Sequence, residues 1–434
     1  MLVNYYLRQK IRMSKNKFNF IDLFAGIGGF HIAMHEQGGQ CVFASELDKF
    51  ARQTYEANFK DISPEIFKNG NFNVDITDPE LDYNSIPEFD VLCGGFPCQA
   101  FSIAGLRKGF EDEKGRGNLF FNILEILDKK KPKAFILENV KNLKTHDKGR
   151  TFQTICSHLT SLGYGIKCEV LNSKDYGLHQ NRERIYIVGI KNSWKGDKIS
   201  LPTDFKILSF NEINEQLFSQ NHSKILKFNF SDIKKEKIVS FSKITSEKKD
   251  LININIKGQE VKYLNPTKEI SKYFQKFNSR DDWEDFIYNG KDGHFKKAVK
   301  YINAKIKGEP NIEKWDEWTD EKWIDDGYKN IYQWRRKYVR RNTSGVAPTL
   351  TANMGTGGHN VPLIVCGELS NGEKLIRKLT PEECFAIQGF DKKYINKMSK
   401  VNIANGQKYK QAGNSIPVKV VKEITKKLIL ILHE

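Results

Sequence analysis

A regular alternation of short apolar runs and longer amphipathic stretches between residues 18 and 191 constrains this chain most. FNFIDL (18–23), CVFASE (41–46), DVLCGGF (90–96) and KAFILENV (133–140) are typical of strands, and stretches with helical spacing follow them. One further strand is expected to reach Asp75. Strands that alternate with helices favour parallel neighbours joined by crossovers. The pattern therefore predicts an α/β fold on a largely parallel sheet.

The alternation stops near residue 192. From 196 to about 330 the chain is rich in Lys, Asn, Ser and Asp, and its apolar spacing is weak. Five of the six tryptophans (283, 315, 318, 323, 334) lie towards the end of this stretch. So many aromatic residues argue against a disordered linker, so we predict a second domain. The last segment, PVKVVKEITKKLILILHE, has helical spacing and predicts a C-terminal helix.

Charge and cysteine content narrow the class of protein. With 70 basic against 53 acidic residues, the net charge is +17, which favours a polyanionic partner such as nucleic acid. A solvated lysine-rich surface is the alternative. The seven cysteines form no CxxC pair, which is typical of a reducing cytoplasm without disulfides or a metal cage. The sequence contains no run of about 18 apolar residues, so it predicts no membrane-spanning helix.

A glycine turn follows the first strand, in DLFAGIGGF (22–30). Gly26 and Gly28 let the backbone approach a ligand at a helix N-terminus. The dinucleotide fingerprint is incomplete, because His31 stands where its third glycine belongs. Glu46 ends the next strand, 20 residues after Gly26, where a carboxylate can accept ribose hydroxyls. Together with Asp75 at a third strand end, this favours an adenosine-containing cofactor over a turn that binds nothing.

Cys98 follows a strand in GGFPCQAFS (94–102). A cysteine in this position is, on its own, typical of a buried thiol. A metal site lacks partners, since Cys93 is the only cysteine nearby and no histidine lies within the same turn. A nucleophile needs an acid close by, and Glu138 ends another strand at the same predicted edge of the sheet. Glu138 alone is equally consistent with a helix cap.

Arg182 and Arg184 precede an apolar strand in QNRERIYIV (180–188). Side chains two residues apart on a strand face the same way. Two such guanidinium groups suit an anionic or carbonyl-rich ligand, and two surface arginines are the alternative.

Six sequence blocks together resemble the signature blocks of the C5-cytosine DNA methyltransferases, in the same order and spacing. The resemblance covers about residues 18–190 and 340–432, and it implies a Rossmann-like S-adenosylmethionine-dependent fold with a smaller inserted target-recognition domain. The implied division is an N-terminal extension (1–17), a catalytic domain (18–192), a recognition domain (193–340) and a returning segment (341–434). The blocks are FAGIGG, GGFPCQAFS, ENV, QNRER, RNTSGVAPTLTA (341–352) and YKQAGNSIP (409–417).

The resemblance also implies catalytic roles. Cys98 would add to C6 of a cytosine flipped out of the duplex. Glu138 would supply a proton to N3. Arg184 would hold the cytosine O2, and Arg182 would support it and contact phosphate. No metal is expected.

Cofactor residues follow from the same comparison of blocks. Phe24 would stack on adenine, the glycine turn would line the methionine end, and Glu46 would hold the ribose. Leu47 stands where the family often has a tryptophan. The implied cofactor residues are Phe24, Gly26, Ile27, Gly28, Gly29, Glu46, Leu47, Asp75, Ile76, Pro97, Leu119 and Asn414.

Duplex DNA is the expected partner. The Gly- and charge-rich stretch after Cys98 is typical of a loop that closes over a substrate, and the basic-aromatic run QWRRKYVRRN (333–342) is typical of a surface that contacts DNA; a solvated basic face is the alternative. The candidate DNA contacts are Ser102, Arg107, Lys108, Arg335, Arg336, Arg340 and Arg341.

The expected activity is methylation of a short specific site, in a bacterial restriction-modification system. We expect a cytoplasmic monomer, and we expect that a cognate endonuclease, where the system has one, makes no direct contact with it. A transfer RNA cytosine methyltransferase and a non-catalytic DNA-binding regulator are the alternatives.

Overall fold

The computed structural model divides the chain into two compact units. The first takes Met1–Asn172, Glu183–Lys235 and Ile416–Glu434, and the second takes Ser173–Arg182 and Glu236–Ser415. Cys98, Ser102, Arg107, Lys108 and Arg336 lie outside the described residues. The structure describes residues 17–97, 119–191, 223–237, 251–256, 259–264, 286, 293–309, 330–335, 338–342, 344–355 and 360–434.

In its described part, the first unit contains a seven-stranded sheet with the order β3-β2-β1-β4-β5-β7-β6. The first five strands in this order are parallel, and β7 runs antiparallel to both β5 and β6. Its central strands are apolar and buried on both faces, as parallel sheets require. The strands are β1 Phe18–Leu23, β2 Gly39–Ser45, β3 Phe72–Asn73, β4 Val91–Gly95, β5 Ala134–Val140, β6 Tyr164–Asn172 and β7 Glu183–Lys191.

Helices flank this sheet. Asp48 begins the second of them, since its carboxylate accepts the N–H groups of Phe50 and Ala51. The last helix contacts the first, although the two lie at opposite ends of the sequence. The helices of this unit are α1 Gly29–His35, α2 Lys49–Phe59, α3 Pro64–Lys68, α4 Leu119–Lys130, α5 Arg150–Ser161, α6 Ser223–Leu226 and α11 Val418–Leu432.

The second unit has an antiparallel sheet. Among its described residues the order is β11-β10-β12-β9-β8, and β13 pairs with β12. The apolar face of α7 packs on this sheet through Phe295, Ala298 and Ile302. The elements are β8 Leu251–Ile256, β9 Gln259–Leu264, α7 Gly293–Lys307, β10 Ile331–Arg335, β11 Tyr338–Asn342, β12 Pro362–Leu369, β13 Lys374–Lys378, α8 Pro381–Ile387, α9 Lys392–Ser399 and α10 Asn405–Asn414.

The α/β class is confirmed, and two details differ from the expectation. β3 ends at Asn73, because the next turn is closed by Asp75, whose Oδ1 accepts the N–H of Thr77 at 2.9 Å. The compact units also divide the chain differently from the predicted domains. Residues 223–235 belong to the first unit, where Phe228 is fully buried and Lys167 of β6 donates to Asn229 at 2.8 Å. No helix in the described residues is long and apolar enough to cross a membrane.

Candidate active site

Three of the predicted site residues that the structure describes lie at one edge of the first unit's sheet. β1, β2, β4 and β5 are parallel and end at this edge, and β7, which is antiparallel, begins there. Glu46 directly follows β2, Glu138 lies near the end of β5, and Arg184 lies near the start of β7. The carboxyl edge of an open α/β sheet is where such folds bind ligands.

Glu46 holds the glycine turn through its carboxylate. Oε2 accepts the N–H of Gly26 and Oε1 accepts the N–H of Asp48, both at 2.8 Å. Burial raises the pKa of Glu46, and the two N–H groups oppose that shift. The sequence placed Glu46 on the ribose; the structure adds that the same carboxylate fixes the turn.

The glycine turn itself has little spare space on one side. Phe24, Gly26 and Gly28 all have positive φ angles, of 56°, 56° and 90°. A Cβ on Gly28 would lie 1.9 Å from the Phe59 ring, whereas a Cβ on Gly26 would meet nothing within 4 Å. The turn is therefore closed towards Phe59 and open at Gly26, where the backbone can meet a ligand.

A buried cluster lies beneath this turn, and sequence reasoning missed it. The Phe59 ring stacks on the His31 ring with centroids 3.8 Å apart. His31 Nδ1 lies 2.8 Å from the Tyr55 hydroxyl, and burial lowers the pKa of His31 well below its usual value. Asn58 also donates to the Ile27 carbonyl of the turn, at 3.1 Å. The only sequence signal was the polar His31 in an apolar helix.

The remaining predicted cofactor residues differ in exposure. Leu47 is 68% exposed, whereas Ile76 is buried, and Tyr83 donates to the Ile76 carbonyl at 2.8 Å. Asp75 was predicted to end a strand, and this is wrong, because it lies in a turn after β3. Pro97 is exposed and Leu119 is half-buried at the start of α4. Asn414 is exposed at the end of α10, in the second unit.

Glu138 and Arg184 form an ion pair in which Arg184 Nε lies 3.0 Å from Glu138 Oε1, with both side chains mostly buried. The register of β4 and β5 sets Glu138 opposite Gly95. A Cβ on Gly95 would lie 3.5 Å from Glu138 Oε2. Since Gly95 comes three residues before Cys98, the acid and the arginine lie beside the strand that leads to the predicted nucleophile.

Asn139 belongs to the ENV block, but the sequence did not predict a role for its side chain. Its Nδ2 donates to the Phe96 carbonyl at 2.9 Å, and its side chain is buried. This bond ties the end of β5 to the turn after β4 and so fixes the chain shortly before Cys98.

The six described cysteines lack the two properties of a nucleophilic cysteine, which are a stabilised thiolate and access to substrate. All six are buried and unpaired by disulfides. Burial raises the pKa of five of these thiols, that of Cys366 to about 12. A reactive cysteine needs a stabilised thiolate and access to substrate. By elimination, Cys98 is the candidate that remains among the seven cysteines of the sequence.

Arg182 has backbone partners that the sequence did not predict. It precedes β7 and is 2% exposed. Its Nη1 donates to the Leu350 carbonyl at 2.8 Å, and its Nη2 donates to the carbonyls of Gly413 and Ser415 at 3.1 and 2.9 Å. In this structure the guanidinium is buried on backbone carbonyls within the second unit, and its contact with phosphate stays a prediction.

Comparison with known proteins identifies the family. Residues 18–430 match the family model described as C-5 cytosine-specific DNA methylase. The chain belongs to this family. The family, the methyltransferase fold and the activity that the sequence blocks implied are confirmed: this methylase transfers a methyl group from S-adenosyl-L-methionine to C5 of cytosine in DNA.

Curated relatives match almost the whole methylase. The Type II methyltransferase M.Bsp6I of Bacillus sp. (strain RFL6) is 38% identical over 408 residues, covering 94% of this chain and 96% of the relative. The Type II methyltransferase M.HhaI of Haemophilus parahaemolyticus is 32% identical over 410 residues, covering 93% and 92%. The crystal structure of S. pombe Dnmt2 methyltransferase shares the fold, with a TM-score of 0.54 at 16% identity over 96% of this chain and 100% of that chain.

The sheet edge fits the cofactor of this family. The turn is open at Gly26, the Glu46 carboxylate lies at the adjoining strand end, and the exposed Leu47 offers apolar surface next to it. A backbone turn, a carboxylate and an apolar side chain suit the methionine, ribose and adenine parts of S-adenosylmethionine, respectively.

Proposed function

We propose that this methylase acts through a covalent adduct between Cys98 and C6 of a cytosine flipped out of a short specific site in duplex DNA. The observation that carries the proposal is the Glu138–Arg184 pair beside Gly95, at the end of the strand that leads to Cys98. An acid and an arginine at the end of a nucleophile's strand suit a ring that must be protonated and held while it is attacked.

The chain's own residues account for the steps around the methyl transfer. The Cys98 thiolate adds its electron pair to C6, and Glu138 supplies a proton to N3, so that C5 becomes the nucleophilic carbon of an enamine. Arg184 holds the ring through O2. Bound S-adenosyl-L-methionine would supply the methyl group for C5 as an electrophile, and its sulfur would keep the electron pair of the broken bond as a neutral thioether. A base then takes the C5 proton, the Cys98 thiolate leaves as the C5–C6 double bond re-forms, and N3 returns its proton to Glu138.

The cofactor roles proposed for this chain follow the sheet edge. The glycine turn of residues 26–29 would hold the methionine end, with Phe24, Leu47, Asp75 and Ile76 around the adenine. Pro97 and Leu119 would border the pocket. Asn414 is also proposed to bind the cofactor.

The names of M.Bsp6I and M.HhaI, both Type II methyltransferases, support a restriction-modification role, which we place in a bacterial cytoplasm. We propose that residues 193–340 contribute the target recognition and that a monomer methylates each strand in a separate binding event. Ser102, Arg107 and Lys108 are proposed to contact DNA from the loop after Cys98.

The test is to express the chain in a host without cytosine methylation and to sequence its DNA after bisulfite treatment. We expect protection of one cytosine in one short sequence. Cys98→Ser should abolish protection, whereas Cys93→Ala, at a buried cysteine on the preceding strand, should retain it.

Purified enzyme should also form a denaturant-resistant adduct with duplex DNA that carries 5-fluorocytosine, because fluorine cannot leave C5 as a cation. Methylation by Cys98→Ser, or activity on transfer RNA without activity on DNA, would refute the proposal.

A further inference from the structure

The two faces of the β10–β11 hairpin have different chemistry. Tyr332, Trp334 and Val339 share one face and pack against α7. The strand register pairs Gln333 with Arg340 and Arg335 with Tyr338, so these four side chains share the other face. The basic run that the sequence treated as one surface is thus divided. Arg335 and Arg340 lie on the polar face, and Arg341, paired with Tyr332, lies on the side of α7.

Arg335 is held through one nitrogen of its guanidinium group, and its side chain is exposed. Its Nη1 lies 3.5 Å from Gln333 Oε1 and 3.4 Å from Asn360 Oδ1. Gln333 is 1% exposed and donates to the Asn360 carbonyl at 2.8 Å, while the Asn360 N–H donates to the Trp334 carbonyl at 3.1 Å. Two buried or anchored amides therefore orient one edge of an exposed guanidinium.

No carboxylate in the described part of the chain lies within 4 Å of the Arg335 or Arg340 guanidinium, although both side chains are exposed. A structural arginine is ordinarily satisfied by a carboxylate or by carbonyl oxygens, as Arg377 is by Glu383 in the same unit. The amide contacts of Arg335 direct one nitrogen only, so its remaining donors are available to a ligand.

The shape and donor set of this hairpin fit one partner. A two-stranded β-ribbon fits the major groove of duplex DNA, and the commonest specific contact there is an arginine fork on the O6 and N7 atoms of guanine. We propose that the polar face of the hairpin enters the major groove and that Arg335, oriented by Gln333 and Asn360, recognises a guanine of the target site. Arg340, on the same face, neutralises a phosphate. This inference rests on the proposed function.

The experiment combines an amino-acid change with a base change. The target cytosine pairs with a guanine, so every duplex site contains at least one guanine. Each guanine of the mapped site is replaced in turn by 7-deazaguanine, which lacks the N7 acceptor. For the wild type, one such replacement should lower kcat/KM about 10- to 100-fold. Arg335→Lys keeps the charge and loses the fork. It should lower kcat/KM on natural DNA by a similar factor, with no further loss for 7-deazaguanine at that position.

Lys297→Ala is the matched control, since Lys297 is an exposed cation on α7, on the other side of the sheet. It should respond to every 7-deazaguanine duplex as the wild type does. Arg335→Gln, with an unchanged thermal unfolding midpoint, provides a second variant. Arg340→Ala should weaken binding to all sequences alike and flatten its salt dependence.

Three outcomes would overturn the inference. They are a wild type indifferent to 7-deazaguanine at every position, an Arg335→Lys variant with the wild-type pattern of sensitivity, and a Lys297→Ala variant that loses the same discrimination. A wild type that methylates no duplex at all would instead refute the proposed function, so the two failures are distinguishable.

Discussion

At the residue scale, the ion pair between Glu138 and Arg184 directs the acid. One carboxylate oxygen lies 3.0 Å from Arg184 Nε. The other faces Gly95, where a missing side chain leaves room: even a Cβ there would be 3.5 Å away. The pair thus holds one oxygen on the arginine and presents the other towards the end of the strand that leads to Cys98.

We expect Glu138→Gln to lower kcat about 10²- to 10⁴-fold, the usual contribution of general acid catalysis. The amide preserves the shape of the side chain and an oxygen for Arg184, but it cannot deliver a proton to N3. Rapid-quench methylation assays would measure kcat, and calorimetry would measure the cofactor Kd, which should not change. A variant that kept wild-type kcat would rule out the acid role of Glu138.

Residue types at one edge of the sheet were predictable, because the strand ends on which Glu46, Glu138 and Arg184 lie follow from local apolar runs. The role of Arg182 was not. Its acceptors lie 168, 231 and 233 residues further along the chain. A spacing of two residues predicted that Arg182 and Arg184 share a face, but Arg182 precedes the strand, and its long-range partners decide where it points.

At the element scale, the glycine turn, α1 and α2 form one packed assembly. Phe59 closes the turn at Gly28 and is itself stacked on His31, so the ring cannot move aside without disturbing the buried cluster. The turn is consequently fixed by the side chains of Asn58 and Phe59, with Asn58 31 residues from its partner Ile27, as well as by its own sequence.

Gly28→Ala should therefore destabilise the fold by about 3 kcal/mol, from the left-handed backbone and the overlap with Phe59. It should also weaken S-adenosylmethionine binding at least tenfold, because the turn must shift. Gly70→Ala is the control. Gly70 also has a positive φ, of 72°, but a Cβ there meets nothing within 4 Å, so we expect a loss of about 1–2 kcal/mol with normal binding. Urea unfolding and calorimetry would measure both; equal effects on binding would contradict the argument.

Elements with long apolar runs were predictable, and short or polar ones were not. β1 occupies the predicted residues 18–23, and β4 and β5 lie within the predicted runs. β3 has only two residues, because the Asp75 turn ends it early. The antiparallel direction of β7 depends on its partners on both sides, and no local pattern encodes that.

At the scale of the whole molecule, residues from 416 onwards pack against the N-terminal part of the first unit and complete it. Ile416 occupies the space beside Gly29, where a Cβ would lie 2.5 Å from its side chain, and it also lies near Gly95. α11 then packs along α1 with most of its apolar residues buried. Residues from 416 onwards are thus part of the support of both the cofactor turn and the end of β4.

Removal of residues 416–434 should abolish cofactor binding, since it exposes the apolar face of α1. Ile416→Ala, which keeps the helix, should cost about 2–5 kcal/mol and lower the affinity for S-adenosylmethionine. Removing only His433 and Glu434, which are exposed, should leave the affinity unchanged. Calorimetry on each protein would measure this, and wild-type binding by the chain truncated at 415 would show that the C-terminal segment is dispensable.

The place of Ile416 in the first unit also fixes when a newly made chain can begin to work. A ribosome synthesises the glycine turn long before Ile416, so the turn lacks its complete support until that residue has been made. Premature termination anywhere before residue 416 leaves products without it. The methylating capacity of a cell that makes this protein should accordingly follow the number of chains that extend through Ile416 and the helix after it, with no contribution from shorter ones.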